Sequence, residues 1–111
     1  MNPEIITEVV SQFSSNLKEI YGSSLREVIL YGSCARGDFS PDSDIDVFVL
    51  MDVPQDRLPE EQSRVMDAAD RLDLAYDVVL TPVLQTVKNF TRYLPVSQFY
   101  QTIRDEGVRY A

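Results

Sequence analysis

Apolar residues recur every three or four positions in four stretches of the chain, the spacing of one face of an α-helix. In the first stretch Asn2 is a predicted cap, Pro3 takes the first helical position, and Gly22 ends the helix. The second predicted helix opens at Pro59, ahead of two glutamates that suit a helix N-terminus. The two apolar stripes are Ile6, Val9, Phe13, Leu17 and Ile20, then Val65, Ala68 and Leu72.

The other two stretches lie in the last third of the chain. Thr81 and Pro82 are predicted to cap a third helix, which must end by Pro95 because the residue before a proline disfavours helical geometry. A fourth helix is predicted to stop at Gly107. Their apolar positions are Val83, Val87, Phe90 and Leu94, then Val96, Phe99 and Ile103.

Three short runs rich in β-branched and aromatic residues predict strands: Leu25 to Gly32, Ile45 to Met51, and Ala75 to Thr81. The resulting order of helices and strands predicts an α/β (α+β) fold, with a small three-stranded sheet flanked by helices. At 111 residues the chain is long enough for one core and too short for two ordinary domains, so residues 1–111 are predicted to form a single domain.

The composition of the chain excludes several kinds of catalysis and binding. The chain has no histidine, which excludes Ser-His-Asp and Cys-His catalysis and histidine-bound zinc. Its net charge of −8 disfavours nonspecific nucleic-acid binding. No apolar run approaches the roughly 20 residues that cross a bilayer, and Cys34 is the single cysteine. The cytoplasm is therefore the expected compartment, with no membrane association.

Asp44 and Asp46 flank Ile45 at the start of the second predicted strand. Alternation along a strand aims both carboxylates to one face, with their Cα atoms roughly 6.6 Å apart. Two such charges repel each other, and a cation between them turns that repulsion into attraction. The alternative is a solvated strand start, shaped by Ser43 as a local turn former.

The turn before the aspartates predicts an anion site. Gly32 and Ser33 follow the first strand, and "SCAR" opens a short helix, so backbone N–H groups and the Ser33 hydroxyl converge on a phosphate. The alternative is that Ser33 is only a helix cap. Together with the two carboxylates, the turn supplies both halves of a metal–nucleotide site.

A third acid, Asp77, lies in the third predicted strand, with Asp73 as the alternative near a helix end. The alternative for Asp77 is an edge-strand charge that prevents aggregation. Three carboxylates can hold two divalent cations, which stabilise the attacking and leaving oxygens in a phosphoryl displacement. A site built only from oxygen ligands suits Mg²⁺ or Mn²⁺.

The stretch "GSCARGDFSPDSDIDVFV" resembles the signature of the DNA polymerase β-like nucleotidyltransferase superfamily, specifically its minimal nucleotidyltransferase (MNT) branch. The signature is glycine-serine, ten residues, then Asp-x-Asp, met by Gly32, Ser33, Asp44 and Asp46. The resemblance implies a mixed sheet, a triphosphate held at the glycine-serine turn, and two Mg²⁺ held by both aspartates. It maps the third carboxylate, which also helps deprotonate the acceptor, onto Asp77.

Two further residues receive smaller roles at the nucleotide. Arg36 either reaches a phosphate oxygen or pairs with Asp38 or Asp42. Ser43 either shapes the strand entry or contacts the nucleotide. Cys34 is expected to be a small buried residue.

The resemblance also implies a reaction and a partner. Members of the MNT branch act as antitoxins that transfer AMP from ATP to a tyrosine hydroxyl of a HEPN-domain toxin, and the acidic surface suits docking on a basic partner. The chain is therefore expected to form an assembly with that toxin. The alternatives are an antitoxin that acts by binding alone and a nucleotidyltransferase for small molecules of the aminoglycoside type.

Overall fold

The structure is a computed structural model that describes all 111 residues. Its helices are α1 Pro3–Tyr21, α2 Ser33–Arg36, α3 Leu58–Tyr76, α4 Val87–Tyr93 and α5 Gln98–Glu106, and its strands are β1 Leu25–Tyr31, β2 Ile45–Met51, β3 Leu80–Thr86 and β4 Val108–Arg109. Short 3₁₀ turns occupy Gly22–Ser24 and Gln55–Arg57. None of the helices combines the length and apolarity that crossing a membrane requires.

The strands form one mixed sheet in the order β3-β2-β1-β4. β2 is central: it runs parallel to β3 and antiparallel to β1, and β4 pairs with the far side of β1. The end of β1 therefore lies beside the starts of β2 and β3, at the same end of the sheet. Tyr31 lies opposite Asp46 there, and Asp46 lies opposite Thr81 on β3. The α/β fold class is confirmed, and the sheet has four strands where the sequence predicted three.

Helices cover both faces of the sheet. The larger core lies on the side of α1 and α3 and takes alternate residues of β2, from Ile45 and Val47 onward. The smaller core lies on the side of α4 and α5, where Phe48 packs with Ile29, Leu50 and Ile103. Asp46 belongs to this second face, because residues two apart on a strand share a face.

The first helix forms as its sequence predicts. Asn2 Oδ1 accepts a hydrogen bond from the Ile5 N–H at 2.9 Å, Pro3 is the first helical residue, and Gly22 ends the helix with a positive φ of 56°. The predicted strand Ile45 to Met51 is also confirmed without change.

The third strand was predicted five residues too early. Ala75 and Tyr76 continue α3, and β3 runs from Leu80 to Thr86. Pro82 does not cap a helix; it lies within β3, where a residue without an N–H is tolerated because β3 is an edge strand. The third predicted helix accordingly starts at Val87, where the Thr86 hydroxyl accepts a hydrogen bond from the Asn89 N–H at 3.1 Å.

The sheet's fourth strand was not predicted. After α5 the chain turns at Gly107 and pairs Val108 with Leu30 and Arg109 with Ile29. The Tyr110 N–H then donates to the Val28 carbonyl at 2.8 Å. This pairing covers the outer edge of β1, the strand that leads into the Gly32 turn.

Candidate active site

The turn after β1 is built on Gly32. Its φ of 75° and ψ of −155° lie in a region that only glycine adopts readily. Its carbonyl accepts hydrogen bonds from the N–H groups of Ala35 and Arg36, both at 3.1 Å, and so starts the four-residue helix α2. Gly37 closes this helix in the left-handed conformation. The predicted strand–turn–helix around Gly32 and Ser33 is confirmed.

Asp46 packs directly against Gly32. A Cβ placed on Gly32 would lie 2.6 Å from Asp46 Oδ2, closer than real Cβ contacts allow. The Asp46 side chain is therefore seated in the space that glycine leaves empty. Burial is the main reason that the pKa of Asp46 is raised above its ordinary value of 3.8; the charge of Asp44 raises it further and that of Arg36 opposes the shift.

Asp44 stands just before β2 and is exposed. The strand alignment already holds at the next residue, because the Ile45 N–H donates to the Val79 carbonyl at 2.8 Å. The thiol of Cys34 lies 3.5 Å from the Asp44 carbonyl oxygen and donates to it. The backbone at Asp44 and Ile45 is thus tied both to the residue before β3 and to α2, and the Asp44 carboxylate stays free.

Tyr31 adds an aromatic ring to the same face. It lies opposite Asp46 on β1 and is half-buried. Burial, together with the charge of Asp46, raises the pKa of Tyr31 to about 12. A tyrosine hydroxyl is neutral near pH 7 in any case, and the raised pKa keeps this one neutral at alkaline pH as well, so it adds no third negative charge beside the two aspartates.

Arg36 and Ser43 make local contacts. The Arg36 Nε donates to Asp38 Oδ2 at 3.3 Å, and both side chains are exposed, so this pair has a small effect on stability. Ser43 Oγ accepts a hydrogen bond from the Ser40 N–H at 2.8 Å, which closes the turn leading into β2. Both local alternatives from the sequence are therefore present, and a contact of either residue with a nucleotide stays a prediction.

Cys34 is buried, as predicted. Its pKa is raised chiefly by burial and then by the charge of Asp46, with a hydrogen bond to Ser33 acting in the opposite direction.

The structure corrects the position of Asp77. This residue is not on a strand; it ends α3 in the left-handed conformation, with φ of 55°, and its side chain is exposed. It lines a shallow cavity of about 290 Å³. The other lining residues are Met1, Pro41, Asp42, Ser43, Val78 and Val79. No three acidic or cysteine side chains lie close enough to enclose a metal ion, so Asp77 is not grouped with Asp44 and Asp46 here.

Asp73, the alternative third carboxylate, has a structural partner. Its Oδ1 accepts a hydrogen bond from the Leu80 N–H at 2.8 Å, which ties the last turn of α3 to the first residue of β3. Burial raises the pKa of Asp73, the Leu80 hydrogen bond lowers it, and the charges of Asp70 and Asp44 raise it. The charge of Asp44 therefore acts on Asp73 across the end of the sheet, and one carboxylate oxygen of Asp73 is held by the Leu80 N–H.

The donor set fits a magnesium–nucleotide pair. Mg²⁺ commonly takes one or two protein carboxylates and completes its shell with water and substrate phosphates. Asp44 and Asp46 supply two carboxylates that repel each other without a cation. Gly32 makes room for the Asp46 carboxylate, which brings that donor against the glycine-serine turn.

From the sequence, Asp73 was only the alternative third carboxylate, and nothing placed Tyr31 opposite Asp46. Tyr31 depends on the pairing register of β1 with β2, and no local residue pattern fixes that register. Asp73 depends on how α3 meets β3. The end of α3 had one local signal, since an aspartate is among the residues that tolerate a positive φ at a helix end.

Comparisons with known proteins agree with this geometry. Residues 10–107 match the family model described as a nucleotidyltransferase domain. A candidate protein adenylyltransferase of Methanocaldococcus jannaschii is 32% identical over 107 residues, covering 96% of each chain. A second candidate protein adenylyltransferase of that organism is 34% identical over 85 residues, covering 75% of this chain and 84% of its own length.

Two solved structures share the fold. One is a toxin–antitoxin complex with AMP-PNP, with a TM-score of 0.58 and 20% identity, covering 91% of this chain and 72% of that one. The other is a mutant of the toxin–antitoxin pair MntA–HpeT in which two aspartates are glutamates. Its TM-score is 0.56 at 18% identity, covering all of this chain and 73% of that one.

Proposed function

The chain belongs to the nucleotidyltransferase domain family, and on that premise we propose that it is the antitoxin of a HEPN toxin pair and modifies that toxin with AMP. ATP is the donor, a tyrosine hydroxyl of the toxin is the acceptor, and pyrophosphate leaves. The reaction depends on Mg²⁺. The general activity follows from the family; the nucleotide, the metal and the partner are the proposed part.

One observation carries the proposal: the carboxylate of Asp46 lies in the gap left by Gly32, with the charge of Asp44 beside it. A purely structural pair of acids gains nothing from being partly buried next to each other, since burial and repulsion both disfavour their charged forms. A site for a cation and a triphosphate gains from both features.

The residues of this chain act by positioning and by charge. Asp44 and Asp46 would hold a divalent cation, which would supply positive charge that neutralises the phosphate oxygens and lowers the barrier to displacement. The Gly32–Ser33 turn offers backbone N–H groups and a hydroxyl to the leaving pyrophosphate. Arg36 adds a positive charge at the same turn, since its charge already acts on Asp46.

Asp77 is proposed to receive the proton of the acceptor hydroxyl. Asp77 lies between the end of α3 and the start of β3. Its side chain is exposed and makes no hydrogen bond that would have to break. Ser43 is proposed to contribute to nucleotide binding through the turn it closes before Asp44. With substrate bound, Asp77 would join Asp44 and Asp46 in holding one of two magnesium ions.

The partner is inferred from charge and from the named relatives. A net charge of −8 favours docking on a basic surface, as expected of a protein that binds RNA. Both relatives are named for adenylylation of proteins, and both structural neighbours are toxin–antitoxin complexes. These names support a protein acceptor over a small molecule.

The test is transfer of label from α-labelled ATP to a purified HEPN toxin from the same genome. We expect the toxin to be labelled only with Mg²⁺ present, and Asp44→Asn or Asp46→Asn to reduce labelling at least about 100-fold. Asp52→Asn is the matched control, because Asp52 follows the opposite end of β2 and pairs with Arg26 on the surface. Labelling that survives both active-site substitutions would refute the proposal.

A second candidate is inhibition by binding alone. It is favoured by one observation: Asp44 and Asp46 do not form, with any third acidic side chain, a group that could enclose a metal ion. An Asp44→Asn, Asp46→Asn double variant that still protects cells from the toxin as well as the wild type would support it. Labelling of aminoglycosides in place of protein would instead support a small-molecule acceptor.

A further inference from the structure

The face of the sheet that holds Asp46 also carries aromatic rings, and the proposed reaction does not use them. Phe48, Phe90, Phe99 and Tyr100 pack together over the smaller core, with ring centroids 5.0–6.2 Å apart. Phe48 is fully buried, but Phe99 is 44% exposed. The cluster therefore reaches the surface at Phe99.

Phe99 lies next to the aspartate pair through one intermediate ring. Its centroid is 5.6 Å from that of Tyr31, and the two rings meet edge to face at 80°. Tyr31 is the direct cross-strand partner of Asp46. The exposed ring is thus one residue away from the carboxylates, on the same face of the sheet.

We propose that Phe99, supported by Tyr31, is the platform on which the base of the donor nucleotide stacks. The inference rests on the proposed function, since it requires the nucleotide phosphates to lie at Gly32 and the aspartates. A nucleotide held there carries its base about one ribose away from the reacting phosphate. The ring of Phe99 lies on the same face of the sheet as Asp46, with only the Tyr31 ring between them.

The chemistry of the platform suits a nucleobase. Stacking uses the flat faces of an aromatic ring and a base, and it adds no charge to a strongly acidic surface. The edge-to-face contact with Tyr31 and the packing on Phe48 hold the Phe99 ring in place. Every base has such a face, so the platform contributes affinity and selects weakly among ATP, GTP and CTP.

Fluorescence gives the most direct test, because the chain has no tryptophan. In a Phe99→Trp variant, ATP is expected to quench the new emission, and tripolyphosphate is not. Val96→Trp is the matched control: Val96 lies three residues away, before the start of α5, and is 80% exposed, so ATP should leave its emission unchanged. Equal quenching in both variants, or none in the Phe99→Trp protein, would overturn the platform.

Affinity measurements separate this inference from the proposed function. We expect Phe99→Ala to weaken ATP binding about tenfold in equilibrium dialysis and to leave tripolyphosphate binding unchanged, with Phe99→Tyr restoring ATP affinity. Unchanged ATP affinity with intact toxin labelling would reject the platform and keep the proposed function. Unchanged ATP affinity with lost toxin labelling would show that Phe99 docks the partner protein. If the wild-type chain binds neither ATP nor tripolyphosphate, both proposals fail.

Discussion

Gly32 and Asp46 occupy one space between them: the carboxylate of Asp46 fills the volume that any side chain at position 32 would need. The same glycine has backbone angles that other residues avoid. Two independent constraints, one steric and one conformational, therefore act at the position where the first strand meets the aspartate pair.

Gly32→Ala is expected to reduce both stability and activity. The backbone strain lowers the free energy of unfolding by about 1–3 kcal/mol, and displacement of Asp46 removes most of the transferase activity. Gly22→Ala is the control, because Gly22 also has a positive φ but a Cβ there meets no atom within 4 Å. Thermal denaturation and label transfer should show similar destabilisation in the two variants and loss of activity only in the first.

Asp46→Asn is expected to stabilise the protein in metal-free buffer at pH 7. The folded chain raises the pKa of Asp46 by burial and by the charge of Asp44, so it binds a proton more tightly than the unfolded chain does. Stability from this group is therefore present at low pH and is lost as the pH rises above 3.8 through the raised value. Removing the charge removes that loss.

Denaturant titrations at several pH values measure this effect. The free energy of unfolding of the Asp46→Asn variant should exceed that of the wild type most near neutral pH. The difference should vanish below about pH 3, where the Asp46 carboxyl is protonated and as neutral as the asparagine amide. Asp52→Asn should show no such trend beyond about 0.5 kcal/mol. A variant that is less stable than the wild type at pH 7 would show that Asp46 is a structural group.

Asp77 and Asp73 can be separated by substitution. Asp77→Asn should lower label transfer at least about 100-fold with a change in stability below about 0.5 kcal/mol, because the side chain is exposed and makes no hydrogen bond. Asp77→Gly should also inactivate, yet leave the free energy of unfolding unchanged or raised by up to about 1 kcal/mol, since glycine suits the positive φ.

Asp73 is expected to behave differently. Asp73→Ala removes the acceptor of the Leu80 N–H and should cost about 1 kcal/mol, whereas Asp73→Asn keeps an oxygen there and should retain transferase activity. Kinetics on the two asparagine variants decide between the sites. If the losses of activity are reversed, Asp73 is the third carboxylate.

Cys34 should resist alkylation. Its thiol is buried, and burial together with the charge of Asp46 raises its pKa, so little thiolate forms at pH 8. Iodoacetamide should modify the native chain at least about tenfold more slowly than the urea-unfolded chain. The native rate should also continue to rise at a pH where the unfolded rate has levelled off; coincident pH profiles would contradict the structure.

Much of the fold was accessible from local sequence. The cap at Asn2, the stop at Gly22 and the whole of β2 follow from residue types whose local geometry is nearly independent of the rest of the chain. The turn at Gly32 follows in the same way, because a strand must end and a helix must start there. These are the elements that place the aspartate pair.

The parts that failed depend on tertiary contacts. Pro82 suits a helix start or an edge strand equally well, and only the position of β3 at the side of the sheet decides between them. Ala75 and Tyr76 extend α3, which ends at the left-handed Asp77. The two residues of β4 form a strand only because β1 has a free edge beside them. For this reason Asp77, which was predicted to lie on a strand, lies at the end of α3.

The proline in β3 also limits how this protein can assemble. β3 pairs with β2 in parallel, and the hydrogen bond from the Ile45 N–H to the Val79 carbonyl shows that the odd-numbered residues on this side point their backbone N–H and C=O groups toward β2. The backbone N–H groups of the even-numbered residues of β3 therefore point away from the sheet. Of these four residues, Leu80 donates to Asp73, Thr86 donates to Gln85, and Pro82 has no N–H, which leaves the N–H of Leu84 alone without such a partner. The outer side of β3 is therefore a poor template for an incoming strand. Along β3, side-chain surfaces are therefore better suited than the backbone to recruit another chain, and the fibre-like stacking that open edges invite is disfavoured there.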